Sequence, residues 1–198
     1  MSAENSTSTA LVVVDMQQNV LHDLRKRSPS EVARVIANVR AAMDSARASA
    51  QMLLVQVLHV PLLAAAPNLH REVSPRSATW KFVEQFNDRA VAEEYDALPE
   101  TAPQEGDMVF SKPGYDPFKP FVLGPYLHDR SIERLVFAGV RADWCITIAV
   151  RHALRNFPEV ALIGDATMAG EKSTEAVLAE LQRDGAEILT TAQFQAKC

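Results

Sequence analysis

Continuous apolar runs alternate along this chain with stretches whose apolar residues recur at helical spacing. Ala10-Leu11-Val12-Val13-Val14 is unbroken and β-branched, the pattern of a strand buried on both faces, and Asp15 stands directly at its end. Ser28, Pro29 and Glu31 predict a helix start: Ser28 caps, Pro29 suits the first helical position and Glu31 completes a capping box. Val32, Val35, Ile36, Val39 and Met43 then mark one apolar face of a helix running to about residue 49. Residues 51–58 read as a second strand, ending at His59. From there to about residue 104 the pattern weakens under repeated prolines, and only residues 80–95 look helical. An excursion of that length inside a compact domain is usually a functional loop or lid, so specificity is expected to reside in residues 59–104.

The pattern sharpens again downstream. Residues 107–111 form a short third strand that delivers Lys112, and Leu135-Val136-Phe137-Ala138 is a fourth. The fourth leads into Gly139-Val140-Arg141-Ala142-Asp143-Trp144-Cys145, after which residues 146–154 carry helical spacing. Residues 160–165 predict a fifth strand ending in Asp165, 173–183 an amphipathic helix and 186–190 a sixth strand. Residues 1–9 are small, polar and aperiodic, a flexible tail; residues 10–198 read as a single domain. Strands alternating with helices imply an α/β fold, three-layer α/β/α with a six-stranded parallel sheet, Rossmann-like. In such sheets ligands bind beyond the carboxyl ends of the strands, where the strand order reverses.

Composition removes several function classes. With 198 residues the chain can bury a substantial core, and its net charge of −5 offers no basic field to nucleic acid or an anionic membrane. Its apolar runs are too short to span a bilayer, and no charged and then apolar leader opens the chain. Two cysteines, one of them the terminal Cys198, make a poor disulfide framework and favour a cytoplasmic setting. A small molecule is the expected partner.

Candidate chemistry gathers at strand ends. Cys145 sits where a strand turns into a helix, and unpaired N–H groups with the helix dipole favour thiolate there. Asp15 and Lys112 also stand just past strand ends. A carboxylate can take a thiol proton but raises the thiol's pKa, and an ammonium offsets that repulsion. Taken singly, each has a plainer reading: Cys145 as a buried core residue, Asp15 as a turn cap, Lys112 as a solvated surface charge.

The order of these stretches resembles the isochorismatase-like cysteine hydrolases, which include nicotinamidases, carbamoylsarcosine amidohydrolases and ureidoacrylate hydrolases. The matching features are Leu11-Val12-Val13-Val14-Asp15-Met16-Gln17, Ser111-Lys112-Pro113 through Phe118, Gly139 through Cys145, Gly164-Asp165-Ala166 and Ile188-Leu189-Thr190-Thr191. The resemblance implies strand order 3-2-1-4-5-6, Cys145 as nucleophile, Asp15 as base and Lys112 as charge stabiliser. It implies an oxyanion hole from the backbone N–H groups of Arg141 and Cys145, and a cis peptide between Val140 and Arg141. It also implies a homo-oligomer, dimer or tetramer. Lys112 then comes from the edge strand and must reach across the second strand.

Two departures bear on function. Ala142 replaces the threonine usual three residues before the cysteine, which removes a supporting hydroxyl. The nicotinamidase metal motif after the second strand has lost its carboxylate to Val57, so no metal or other cofactor is expected, and His59 and His70 read as pocket or surface residues. The retained thiol argues for cleavage of an amide or carbamoyl C–N bond through a thioester. An isochorismatase-type hydrolysis led by Asp15 alone, a non-catalytic scaffold and a redox thiol are the alternatives. Candidate substrate-binding residues are Arg141, which can clamp a carboxylate or simply face a subunit contact, and Trp80, Phe118, Trp144 and His59.

Overall fold

A computed structural model of the chain describes residues 8–59, 70–72, 95–119 and 122–198. Its seven-stranded sheet runs in the order β3-β4-β2-β1-β5-β6-β7. The strands are β1 (Thr9–Val14), β2 (Met52–His59), β3 (His70–Glu72), β4 (Met108–Lys112), β5 (Arg134–Val140), β6 (Glu159–Met168) and β7 (Glu187–Leu189). Six of them are parallel and realise the expected order 3-2-1-4-5-6, while β3 adds an antiparallel edge beyond β4. That three-residue strand carries too little pattern to be read from sequence. The order reverses between β1 and β5, whose ends frame the crevice where α/β sheets place their ligands.

Successive residues of β1 face opposite layers, as strand geometry requires. Ala10, Val12 and Val14 join one core with Phe137, Val150, Val177 and Leu181, while Leu11 and Val13 join the other with Leu24, Val35, Val39 and Met43. The covering helices are α1 (Gln18–Arg27), α2 (Pro29–Ala48), α3 (Leu123–His128), α4 (Thr147–Ala153), α5 (Thr174–Arg183) and α6 (Thr191–Gln195). Among the described residues no helix is long and apolar enough to cross a membrane.

The sequence reading and the structure part at several points. Thr9, read as the end of the tail, opens β1. Ser28 makes no capping hydrogen bond with its side chain, because this single residue both ends α1 and starts α2. β6 continues past Asp165, whose carboxylate accepts the Thr191 N–H at 2.8 Å and hydroxyl at 2.7 Å, a tie between β6 and α6. The helix expected over residues 80–95 falls, except for Tyr95, outside the described residues, as does Trp80.

Gly139 explains how β5 closes on β1. Its φ is +111°, and a Cβ there would stand 2.1 Å from the Val14 carbonyl oxygen, so only glycine permits the approach. Thr167 donates to the Gly139 carbonyl at 2.7 Å and holds the irregular end of β5 in place. The Val140–Arg141 peptide that follows is cis.

Candidate active site

Three strand ends bring Asp15, Lys112 and Cys145 together. Asp15 follows β1 with φ +54°, a left-handed conformation that aspartate tolerates better than most residues. Its N–H donates to the Val57 carbonyl at 2.9 Å, and its own carbonyl accepts the Gln17 N–H at 2.8 Å. Lys112 is the last residue of β4, in register with His59 of β2, and its side chain crosses β2 to reach the centre. Its Nζ lies 2.8 Å from Asp15 Oδ2, 3.3 Å from Cys145 Sγ and 3.0 Å from the Gly114 carbonyl oxygen. Three N–H groups therefore meet three acceptors, and the ammonium is fully buried at 0 % exposure.

Gln17 is a positioning residue the sequence reading quoted without giving it a role. Buried completely, it accepts the His59 N–H at 2.6 Å and donates to the carbonyls of His59, at 3.0 Å, and Tyr95. It ties the ends of β1 and β2 to the returning chain, where Leu98 N–H also donates to the Met16 carbonyl at 2.9 Å.

Cys145 does not sit at a free helix start. It lies inside a π-helical turn, Ala142–Ile146, that precedes α4. Burial first, and then the Asp15 carboxylate, push its thiol from 9.0 up to about 12, with Lys112 pulling the other way. The thiolate expected from the helix start is therefore corrected: the resting group is a thiol, because desolvation and Asp15 outweigh the dipole. Burial pulls Lys112 down, yet Asp15 and Cys145 more than offset this, and it is held above its usual range as a firm cation. His59 is lowered by burial and by Lys112, so its imidazole is neutral beside that cation.

A cavity of about 330 Å³ opens above these groups, with Asp15, His59, Tyr115, Arg141, Trp144 and Cys145 among its walls. The structure thus brings His59, Arg141 and Trp144 to the cavity with Asp15 and Cys145, while Lys112 lies buried beneath them and is not among the walls. Phe118 is not among the cavity walls. It is 2 % exposed and stacks on His152 at 4.5 Å in the core, leaving Tyr115 to meet Trp144 edge-on at 4.9 Å. A loop of irregular backbone offers no periodicity from which to tell the two aromatics apart. Asn19, Asp23 and Arg27 of α1 and Glu171 complete the wall, and sequence reasoning missed them because α1 has only Leu21 and Leu24 buried.

Arg141 is held rather than free. Its Nη2 lies 3.1 Å from Glu171 Oε1 and 3.5 Å from Asp143 Oδ2, with the guanidinium 5.3 Å from the Trp144 ring centre. Asp143 is fixed in turn by the Gly170 and Glu171 N–H groups, at 2.9 and 2.8 Å. Burial alone would raise Asp143, but those donors and Arg141 hold it below the usual carboxylate range. Ala142 is fully buried, and its carbonyl accepts the Thr147 hydroxyl at 2.6 Å. Neither the Arg141 nor the Cys145 N–H donates to a backbone carbonyl outside its own element among the described residues. No three His, Cys, Asp or Glu side chains among the described residues converge as a metal site.

Fold and site together define a parallel α/β protein whose polar groups converge at the reversal of strand order. Residues 9–193 match the isochorismatase domain, and the chain belongs to that family of hydrolases. Among solved structures it is similar to an isochorismatase-like hydrolase from Alkaliphilus metalliredigens, at 18 % identity, 98 % of each chain covered and a TM-score of 0.76. N-carbamoylsarcosine amidase from Thermoplasma acidophilum matches at 25 % identity over 93 % of this chain and 96 % of that one, TM-score 0.70. A cysteine hydrolase from Pseudomonas syringae pv. phaseolicola matches at 21 % identity over 98 % and 93 %, TM-score 0.75.

Proposed function

We propose that the protein is a cysteine hydrolase that cleaves a C–N bond of a small amide or carbamoyl compound through a thioester. The carrying observation is Lys112 Nζ lodged between Asp15 Oδ2 at 2.8 Å and Cys145 Sγ at 3.3 Å, all three side chains buried. The similarity to an N-carbamoylsarcosine amidase supports the choice of bond.

As substrate arrives, the Cys145 S–H proton passes to Asp15 while the sulfur attacks the carbonyl carbon. Before and after that transfer the three groups carry the same total charge, one positive and one negative, so no net charge is created in a buried site. Lys112 keeps its proton and stabilises the negative charge wherever it resides. The carbonyl oxygen becomes an oxyanion held by the Arg141 and Cys145 N–H groups. Collapse expels the amine, which takes the proton from Asp15 and leaves the acyl group on sulfur. Asp15 then removes a proton from water, the hydroxyl attacks the thioester, and the departing sulfur recovers its proton. Each step uses groups of this chain. Val57, at the position where a nicotinamidase carries a carboxylate, is a fully buried core residue.

The test is an ammonia-release screen over small amides, ureas and carbamoyl acids, with intact-mass detection of an acyl adduct on Cys145. Cys145→Ala and Cys145→Ser are expected to abolish turnover, and Asp15→Asn to abolish adduct formation. Full activity in the cysteine variants with loss in Asp15→Asn overturns the reading in favour of hydrolysis led by the aspartate alone.

A further inference from the structure

The π-helical turn that carries Cys145 is held by a contact that the chemistry just described does not use. Its backbone shows how the turn is opened. The Arg141 carbonyl accepts the Trp144 and Ile146 N–H groups, both at 3.1 Å, and passes over the Cys145 N–H between them. In ordinary α register that carbonyl would take the N–H four residues on, which is that of Cys145 itself. The next carbonyl, of Ala142, accepts the Thr147 N–H, again five residues on. Widened turns of this kind are rare and gather at functional sites. This one frees the backbone donor that the thioester mechanism assigns to the oxyanion.

A side chain ties down the widened register. Thr147 Oγ1 donates to the Ala142 carbonyl at 2.6 Å, so one oxygen receives both the N–H and the hydroxyl of the same residue. Ala142 is fully buried, and bulk water does not compete for that carbonyl. Within an α-helix a threonine hydroxyl reaches back three or four residues. Reaching back five is open to it only while the turn is π, so closing the turn to α register forfeits this bond. Asp143, pinned by the Gly170 and Glu171 N–H groups at 2.9 and 2.8 Å, anchors the turn through a side chain. The Thr147 bond acts on a main-chain carbonyl and therefore on the register itself.

We propose that Thr147 is a positioning residue: its hydroxyl locks the turn in π register and so keeps the Cys145 N–H free to receive the oxyanion. Thr147 is not among the cavity walls and acts through the backbone alone. The proposal rests on the hydrolase reading for the use of that N–H, and adds a residue to which that reading gives no role.

The test compares two reactions of the same sulfur. Acylation of Cys145 by p-nitrophenyl acetate passes through a tetrahedral oxyanion, releases p-nitrophenolate and sends the thiol proton to Asp15. Alkylation by iodoacetamide displaces iodide directly and forms no oxyanion. Peptide mass spectrometry follows both at Cys145, with Cys198 in the same molecule as reference. Thr147→Val, which keeps the shape and removes the hydroxyl, should slow acylation about a hundredfold, the cost of one lost oxyanion donor, and leave alkylation within about twofold. Thr147→Ser, which keeps the hydroxyl, should recover most of the acylation rate. A helix-start contact with no bearing on the oxyanion would move both reactions alike or neither. Acylation and alkylation slowed together, neither slowed, or Thr147→Ser as slow as Thr147→Val overturns the proposal. Failure of the hydrolase reading looks different: the ester then leaves Cys145 of the unmodified protein unacylated. In that event the crystal structure of Thr147→Val decides the lock by itself, since a Cys145 N–H donating to the Arg141 carbonyl supports it and an unchanged π turn overturns it.

Discussion

The floor and the wall of the cavity are built on opposite principles. On the floor, Lys112 has every N–H satisfied, and Asp15 and Lys112 are 1 % and 0 % exposed at the ends of sheet strands. On the wall, Asn19 and Arg141 hold buried polar atoms without partners, and they stand on a helix and on the turn after β5. A rigid floor whose cation is fully satisfied, with Asp15 Oδ1 left as an open acceptor, suits chemistry that must be in place before any ligand arrives. An unsatisfied wall suits recognition, because only the correct ligand completes it. On the proposed reading, the contrast assigns reaction to the strand ends and selection to the wall built by α1 and the turn after β5.

The largest effect should come from breaking the floor. Lys112→Met leaves the Asp15 carboxylate buried without its cation, and removing one member of a buried pair costs about 3–5 kcal/mol. Urea denaturation should show that loss, and turnover should vanish. Adding Asp15→Leu removes the stranded charge and should restore most of the stability without restoring activity. If Lys112→Met alone is as stable as the unmodified protein, the floor is not the charge-balanced unit described above.

Next in size is the proton on Cys145, which the floor holds up to about 12 against 9.0 in an exposed thiol. In the unfolded chain the thiol ionises as pH rises through 9.0, while the folded thiol keeps its proton until about 12. Over that window the unfolded state binds fewer protons, so the stability this group contributes is intact below 9.0 and is lost as pH climbs towards 12. Measured against Cys145→Ser, the stability difference should shrink only in that alkaline range. Near neutral pH, iodoacetamide should label the exposed Cys198 before Cys145, whose thiolate is scarce without substrate. Faster labelling of Cys145 would mean that Lys112, not Asp15, dominates the resting thiol.

Legibility divides along the same line. Of the floor, Asp15 was readable because the continuous apolar run of residues 10–14 defines a central strand and Asp15 follows it directly, whereas the inward reach of Lys112 rested on the family resemblance. The six parallel strands follow from the same runs. Asp165 shows the limit of that rule: β6 runs on through it, since Thr191 satisfies a carboxylate that sequence alone reads as a stop. The wall was harder. α1 has just Leu21 and Leu24 buried and no side-chain cap, so its periodicity is faint and Asn19 and Arg27 gave no signal. Gly170 gave none either, because its importance lies in an atom it lacks and in a guanidinium far away in sequence. Of residues 59–104, expected to carry specificity, those from 60 to 94 lie outside the described residues except 70–72; His59 lines the cavity, while Asn19, Arg27, Tyr115 and Arg141 come from elsewhere in the chain.

The smallest expected effect tests whether the wall is truly separable from the floor. Tyr115 is 52 % exposed and meets Trp144 edge-on at 4.9 Å, so Tyr115→Ala removes one half of an aromatic pair at the rim. Such a pair is worth about 0.5–1.5 kcal/mol, and exposure of this ring argues for the lower end. The next residue but two in this loop is fixed independently, with Phe118 N–H donating to Asp116 Oδ1 at 3.0 Å and Asp116 Oδ2 3.2 Å from His152 Nδ1. The Gly114 carbonyl that receives Lys112 Nζ is therefore anchored on both sides without the tyrosine ring. Steady-state kinetics of Tyr115→Ala should show a higher KM, by about threefold, with kcat preserved, because only binding that is equal in ground and transition states has been removed. A kcat that falls with KM unchanged would show that the rim transmits to the Lys112 acceptor, and floor and wall would then have to be treated as one unit.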